Sequence, residues 1–256
     1  MPEALPAARD FRRKIRERVH VLGTFIKIPT SHTMEIVGLT GFDFAIVDQE
    51  HGASDRSALD IACFAARAAN IAAIVRVTEL NAAAIMTALD CGAAGVVVPH
   101  CHSLENAHAA AAACRHRGGA RGFATTTRAG AYGGIPGLDH IAQRDDAATC
   151  IVMIENAAAL DHLDEIVAVR GIDAVFIGRG DLGAVLGPDE TKAAAIKIAA
   201  AAKAAGMPVI ALVASRDDAR AMRELGVSAF LFSNDQNLLK SAATQAVMDY
   251  RDPAAW

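Results

Sequence analysis

The sequence predicts a TIM (β/α)8 barrel, an α/β fold in which parallel strands alternate with outer helices. Short β-branched apolar runs alternate along the chain with longer segments of helical periodicity, the pattern of repeated βα units. Eight such runs can be placed, and charged residues follow several of them, where a barrel carries its active site. The length of 256 residues lies within the range in which such a barrel folds as one domain, here residues 1–256.

The predicted strands are short and rich in the β-branched and aromatic residues that favour extended structure. They are Val21–Ile28, Phe44–Asp48, Ala72–Val77, Gly95–Pro99, Cys150–Glu155, Ala174–Gly178, Val209–Val213 and Ala229–Ser233. Helical segments fit between them: DRSALDIACFAARAAN precedes the third strand and SRDDARAMRELG precedes the eighth, each ending near an Asn or Gly that can terminate a helix. The irregular stretch 118–137 is long for a compact domain, which indicates a functional loop.

The composition limits the classes of partner. Hydrophobic residues make up 53% of the chain and charged residues 21%, which excludes a disordered protein. A formal net charge of -4 and a pI near 6.1 give no electrostatic reason to expect nucleic acid or an anionic membrane as a partner. We therefore expect small-molecule substrates.

Cysteine usage and the first residues favour a cytoplasmic protein. The five cysteines are scattered, odd in number and without CxxC spacing, so reduced thiols are expected rather than a disulfide framework. The opening MPEALPAARDFRRKIRERVH carries charges where a signal peptide needs an apolar stretch, and no later segment reaches the apolar length of a membrane span.

Charged and glycine residues that suit carbonyl chemistry follow four of the predicted strands. In chain order they are Asp48, Glu50, His51, Arg76, Glu155, Gly178, Arg179, Gly180 and Asp181. An Asp three residues before a His can orient the imidazole and raise its basicity, and two carboxylates on different strands can bind a divalent cation. An arginine adds positive charge beside a developing oxyanion. The set suits proton abstraction or carbon–carbon cleavage next to a carbonyl.

The motifs resemble those of the HpcH/HpaI aldolase family, metal-dependent class II pyruvate aldolases of the phosphoenolpyruvate/pyruvate barrel superfamily. The resemblance covers nearly the whole chain and rests on GFDFAIVDQEHG, IVRV, MIEN and IGRGDL, in the family's order. It implies that His51 is the base and acts with Asp48, that Arg76 binds the pyruvyl oxygen, and that Glu155 and Asp181 hold a divalent metal ion, Mg²⁺, Mn²⁺ or Co²⁺. The substrates would then be a 2-oxo acid and an aldehyde.

The resemblance also implies a homo-oligomer, a trimer or hexamer, because family members place an Asp from a neighbouring subunit near the His and Asp90 matches that position. We expect Gly178, Gly180 and Glu50 to contribute to substrate binding. Arg179 replaces the family's usual Pro, so we expect it to face the mouth and favour acceptors that carry a carboxylate or several hydroxyls. The competing interpretation is that Arg179 points towards solvent or a neighbouring subunit.

The predicted reaction is reversible cleavage of a 4-hydroxy-2-oxo acid to pyruvate, or a related 2-oxo acid, and an aldehyde. The alternatives are a citrate-synthase-like enzyme that condenses an enolate with oxaloacetate, and a non-catalytic barrel, which predicts loss of motif residues. A Schiff-base mechanism needs a desolvated lysine at a strand end, and Lys27 is the nearest candidate.

Several site residues also have purely structural interpretations. Asp48, Glu50 and His51 could form a solvated turn, and the later carboxylates could cap helices. His100 and His102 could form a second transition-metal site or make ordinary hydrogen bonds, and the sequence leaves their role open.

Overall fold

The computed structural model describes residues 6–251 and contains a closed barrel of eight parallel strands. Each strand pairs with the next one along the chain, and β8 pairs with β1 to close the barrel. The predicted fold class is therefore confirmed. Residues 1–5 and 252–256 of the predicted domain lie outside the described residues.

The strands match the predicted segments closely. They are β1 (Val21–Ile26), β2 (Phe44–Asp48), β3 (Ala72–Arg76), β4 (Gly95–Val98), β5 (Thr149–Ile154), β6 (Ala174–Ile177), β7 (Val209–Val213) and β8 (Ala229–Asn234). Seven of the eight begin at the predicted residue; β5 begins one residue earlier. Five end one or two residues earlier than predicted, at the start of the loops that form the mouth.

The helices surround the barrel, and most start with a side-chain cap. They are α1 (Pro6–Arg16), α2 (Ser31–Leu39), α3 (Arg56–Ala68), α4 (Ala82–Asp90), α5 (Leu104–Ala113), α6 (Gly137–Ala147), α7 (Leu163–Val167), α8 (Arg179–Leu186), α9 (Pro188–Ala204), α10 (Arg216–Glu224) and α11 (Asp235–Tyr250), with short 3₁₀ turns at Arg128–Gly133 and Ala157–Asp161. Asp55 caps α3 by accepting a hydrogen bond of 2.8 Å from the N–H of Ala58. The carboxylates of Asp48 and Glu50 are therefore not needed as caps.

The barrel interior is filled at the end opposite the mouth. Helix α1 covers that end and places Phe11 against Phe44, with ring centroids 4.9 Å apart. Gly23 of β1 makes room for the Phe44 ring, since a Cβ at this position would lie 2.5 Å from it. A second apolar layer, rich in Val, Ile and Ala, packs between the strands and the outer helices. The apolar packing at this end leaves the cavity at the opposite end, where charged side chains follow the strands.

All five cysteines are free and buried. Within residues 6–251, none of the helices combines the length and the apolar character that a membrane crossing requires.

The long loop 118–137 is ordered by charge pairing and ring packing. Arg128 donates to both carboxylate oxygens of Asp60, at 2.7 Å each. Phe123 contacts the rings of His116 and His140, at centroid distances of 5.9 and 5.7 Å. His140 is buried, and neither of its ring nitrogens has a hydrogen-bond partner among the described residues.

His140 is expected to make the fold sensitive to acid. Burial, with the nearby charges of Arg144 and Arg121, lowers the pKa of His140 from 6.5 to about 4. As the pH falls from 6.5 towards 4, His140 is therefore protonated in the unfolded chain but not in the folded protein. The free energy of unfolding consequently decreases over this range. His140→Phe should reduce this pH-dependent loss by about 1–3 kcal/mol, measured by urea unfolding at pH 7.5 and 4.5.

The control for this experiment is His108→Phe, because His108 is exposed on α5. An unchanged pH dependence in His140→Phe, equal to that of the control, would contradict the assignment of this acid sensitivity to His140.

Candidate active site

The carboxyl ends of the strands surround one cavity of about 730 Å³. It is lined by residues from β1, β3, β5, β6, β7 and β8 and by the loops that follow them. Among the predicted site residues, Arg76, Gly178, Arg179, Gly180 and Asp181 line this cavity directly. The structure therefore brings residues far apart in sequence to one mouth.

Asp48 and Arg76 form a buried ion pair at the ends of β2 and β3. The two residues are register partners in the sheet, and Arg76 donates from Nε to Oδ1 at 2.9 Å and from Nη2 to Oδ2 at 2.8 Å. Lys27 Nζ lies 3.2 Å from Asp48 Oδ2. Burial opposes ionisation of Asp48, but the hydrogen bonds and charge of Arg76 outweigh it and hold the pKa of Asp48 below its usual value. Asp48 is thus a fixed anion that orients Arg76.

The side chain of His51 faces solvent at the rim of the mouth. Asp48 accepts a hydrogen bond of 3.2 Å from the backbone N–H of His51, and not from its imidazole. The imidazole is 57% exposed, and its Nε2 lies 3.9 Å from Glu50 Oε2. Asp48 therefore positions the His51 backbone, and the predicted contact between carboxylate and ring is not formed in the described chain. Asp90, at the end of α4, pairs with Arg121 at 2.8 Å.

Glu50 is held between two basic side chains. One carboxylate oxygen lies 3.1 Å from Arg76 Nη1, and the other lies 3.1 Å from His100 Nε2. The side chain is almost fully buried. Glu50 therefore links the Asp48–Arg76 pair to the next strand end, and its carboxylate is less available to a substrate than the sequence suggested.

His100 joins Glu50 to Glu155. Its backbone has a positive φ of 55°, which is uncommon for a residue other than glycine and typical of functional sites. Its N–H donates to Glu155 Oε1 at 2.6 Å, and its ring Nδ1 lies 3.2 Å from the same oxygen. His102 instead contacts the carbonyl oxygen of His100 through Nδ1, at 2.8 Å. Of the two histidines that the sequence left without a role, only His100 reaches the predicted site residues.

Glu155 and Asp181 supply the carboxylates predicted for metal binding. Glu155 is buried, and its Oε2 has no hydrogen-bond partner in the described chain. Burial raises the pKa of Glu155, His100 opposes this effect, and the negative charges of Asp181 and Glu50 reinforce it. Asp181, exposed in the first turn of α8, lies close enough to influence Glu155 electrostatically.

Gly178 gives the Glu155 carboxylate its space. A Cβ at position 178 would lie 2.3 Å from Glu155 Cβ and 2.9 Å from Oε2, so a side chain there would displace the carboxylate. Among the described residues, no group of three or more His, Cys, Asp and Glu side chains is arranged to hold a metal ion. Two carboxylates, one with a partnerless buried oxygen, nevertheless fit a hard divalent cation that keeps water or substrate oxygens as its other ligands.

The charge of Arg179 is already compensated. Its guanidinium donates two hydrogen bonds of 2.7 Å to Asp218, in the first turn of α10, and a third to the carbonyl oxygen of Leu212. The side chain lines the cavity, but it already donates these three hydrogen bonds within its own chain. No sequence pattern indicates this partner, although Asp218 also follows a strand end.

Comparison with known proteins places this geometry in a family. The model of the family described as HpcH/HpaI aldolase/citrate lyase matches residues 22–241. The 2-dehydro-3,6-dideoxy-6-sulfogluconate aldolase of Pseudomonas putida is 33% identical over 235 residues, covering 89% of this chain and 91% of the relative. The 5-keto-4-deoxy-D-glucarate aldolase of Salmonella paratyphi A is 33% identical over 236 residues, with the same shares covered.

A solved structure agrees with the fold. The crystal structure of the citrate synthase SbnG superposes with a TM-score of 0.85 at 26% sequence identity, and the match covers 94% of this chain and 96% of that one. The family model spans all eight strands of the barrel except the first residue of β1, and therefore includes every candidate site residue described above. The chain belongs to the HpcH/HpaI aldolase/citrate lyase family.

Proposed function

We propose that this chain, an aldolase of the HpcH/HpaI family, is divalent-metal-dependent and reversibly cleaves a 4-hydroxy-2-oxo acid to pyruvate, or a related 2-oxo acid, and an aldehyde. The observation that carries the proposal is the buried Oε2 of Glu155, which has no partner among the described residues and lies at the same end of the barrel as Asp181 and the Asp48–Arg76 pair. Its aldolase relatives support the reaction class.

Glu155 and Asp181 would hold the metal ion, Mg²⁺, Mn²⁺ or Co²⁺. When bound, the ion polarises the 2-oxo group as a Lewis acid. The start of α8 would bind the substrate carboxylate: no side chain of the described residues caps this helix at Gly178, so the backbone N–H groups around Arg179 and Gly180 remain available to an anion.

Arg76 would stabilise the enolate oxygen of the pyruvate unit. Its guanidinium is fixed by Asp48 and Glu50, so it meets the developing charge without reorganisation. His51 would take the proton from the 4-hydroxyl, since its imidazole is accessible at the rim and its backbone is fixed by Asp48. Arg76 would thus stabilise the oxyanion, and His51 would transfer the proton.

We further propose a homo-oligomer, a trimer or hexamer, located in the cytoplasm. In such an assembly Asp90 of one copy would approach His51 of the next and bring a second carboxylate to an imidazole whose Nε2 lies 3.9 Å from Glu50 in its own chain. The hydrogen bond from Arg121 orients that carboxylate.

Enolisation of pyruvate tests the proposed function without any assumption about the aldehyde. With Mn²⁺ or Mg²⁺ in D₂O, the wild-type protein should exchange the methyl protons of pyruvate for deuterium, followed by NMR, and should release pyruvate from a 4-hydroxy-2-oxo acid. Absence of both reactions with every divalent metal tested would refute the proposal. Condensation with oxaloacetate in the absence of an aldehyde would favour the alternative, which the similarity to a citrate synthase keeps open.

A further inference from the structure

Lys27 differs from the other basic side chains of the cavity in its remaining hydrogen-bonding capacity. The basic residues that line it are Lys27, Arg76 and Arg179. Arg76 is committed to Asp48 and Glu50, and Arg179 to Asp218 and a backbone carbonyl. Lys27 has Asp48 as its ion-pair partner, and that carboxylate already receives two hydrogen bonds from Arg76. An ammonium group has three donors, so Lys27 retains hydrogen-bonding capacity.

The position of Lys27 is fixed from both sides. Its backbone N–H donates to Asp235 Oδ1 at 3.0 Å, and the N–H of Ile28 donates to Oδ2 at 2.9 Å. Asp235 is the buried first residue of α11. The side chain ends 3.2 Å from Asp48 and is only 21% exposed. A preorganised, largely desolvated ammonium group binds an anion more strongly than one on a free surface lysine.

Lys27 also lies on the far side of the mouth from the metal carboxylates. In the closed barrel β1 is four strands from β5, which precedes Glu155. Next to β1, the end of β8 lines the cavity with the polar residues Ser233 and Asn234, and Ser233 has a positive φ of 59°. A substrate whose 2-oxo acid end lies at Glu155 would therefore extend past Arg76 towards Lys27, Ser233 and Asn234.

We propose that Lys27 is a specificity-determining residue that binds an anionic group, such as a carboxylate, at the aldehyde-derived end of the substrate. This inference rests on the proposed function and names its substrate class: acids with a second negative charge far from the 2-oxo group. It assigns the recognition of that charge to Lys27, whereas the sequence suggested Arg179. Before the substrate binds, the contact with Asp48 holds the ammonium group in position.

The test compares two acceptors of equal carbon-chain length, succinic semialdehyde and butanal, in condensation with pyruvate. The measured quantity is the ratio of the two kcat/KM values. Wild type should prefer the acidic acceptor, and Lys27→Met should lower the ratio by about ten- to a hundredfold, the contribution of one charge-assisted hydrogen bond. Lys27→Arg should retain most of the preference. Lys203→Met, which removes a charge from an exposed position of α9, is the matched control and should leave the ratio unchanged.

The exchange of pyruvate methyl protons separates the two proposals, because no acceptor takes part in it. Wild-type protein that exchanges these protons but shows no preference between the acceptors would overturn the role of Lys27 and leave the proposed function standing. A wild-type protein without exchange would remove both. If Lys27→Met does not fold, Lys27→Gln provides the same comparison.

Two further outcomes are decisive. An unchanged ratio in the folded Lys27→Met or Lys27→Gln protein would overturn the proposal. Trapping of Lys27 by borohydride in the presence of pyruvate would replace ionic binding with a Schiff base and overturn it as well. Arg179→Met, measured in parallel, should reduce kcat/KM for both acceptors alike because Asp218 compensates its charge; a selective loss with the acidic acceptor would transfer the role to Arg179.

Discussion

Glu155→Gln is expected to abolish metal-stimulated cleavage while leaving the barrel folded. The amide preserves the size of the side chain and an oxygen that can accept the hydrogen bond from the His100 N–H, but it removes the charge that would hold the cation. Asp181→Asn should have the same effect. Affinity for Mn²⁺, measured by calorimetry or by the EPR signal of the free ion, should fall by at least about a hundredfold, beyond the 10–100-fold typical of residues that only support a metal ligand.

The matched control is Glu165→Gln, because Glu165 lies on α7 with its side chain 57% exposed and paired with His162. It should bind Mn²⁺ like wild type. Since burial raises the pKa of Glu155, protons compete with the metal at that carboxylate, and metal affinity should decrease as the pH falls through the raised pKa. Full activity in a thoroughly chelated sample would rule out the metal-dependent mechanism.

His51→Ala is expected to lower kcat by roughly 10²–10⁴-fold, the usual contribution of a positioned general base. The variant should still bind pyruvate, because Arg76, Glu155 and the start of α8 are unaffected. His108→Ala, on the outer face of α5, serves as the control and should behave as wild type.

A His51→Ala protein that keeps the wild-type rate would place the base elsewhere. Glu50 would then be the next candidate, since its carboxylate lies 3.9 Å from the His51 ring. That carboxylate already contacts Arg76 and His100, which leaves it less free to reach a substrate.

The fold could be read from the sequence because its strands are buried on both faces. Runs such as Phe44–Asp48 and Ala72–Arg76 are buried at every position, so uninterrupted apolar segments mark them clearly. The sequence pattern predicts that β1 ends at Ile28, two residues after its end in the structure. Lys27 and Ile28 bond to Asp235 instead of a neighbouring strand, and no local pattern reports a partner more than 200 residues away.

The sequence indicated that several candidate side chains lie together at the strand ends, but it did not indicate how they pair. The three-residue spacing suggested that Asp48 supports the His51 ring, whereas the register of β2 against β3 places Asp48 opposite Arg76. That register depends on the alignment of whole strands and not on spacing within a loop. The positive φ of His100 and the partner of Arg179 are likewise set by tertiary contacts. The sequence therefore placed Asp48, Arg76 and Glu155 at the strand ends, but it left open which side chains form hydrogen bonds with each other.

The hydrogen bonds from the backbone of Lys27 and Ile28, directly after β1, to Asp235 have a consequence for folding during synthesis. Lys27 precedes Asp235 by 208 residues in the chain. Because synthesis runs from the N-terminus, the backbone at Lys27 has no such anchor until α11 has been translated. Chains truncated before α11 should therefore lose the fixed position of Lys27.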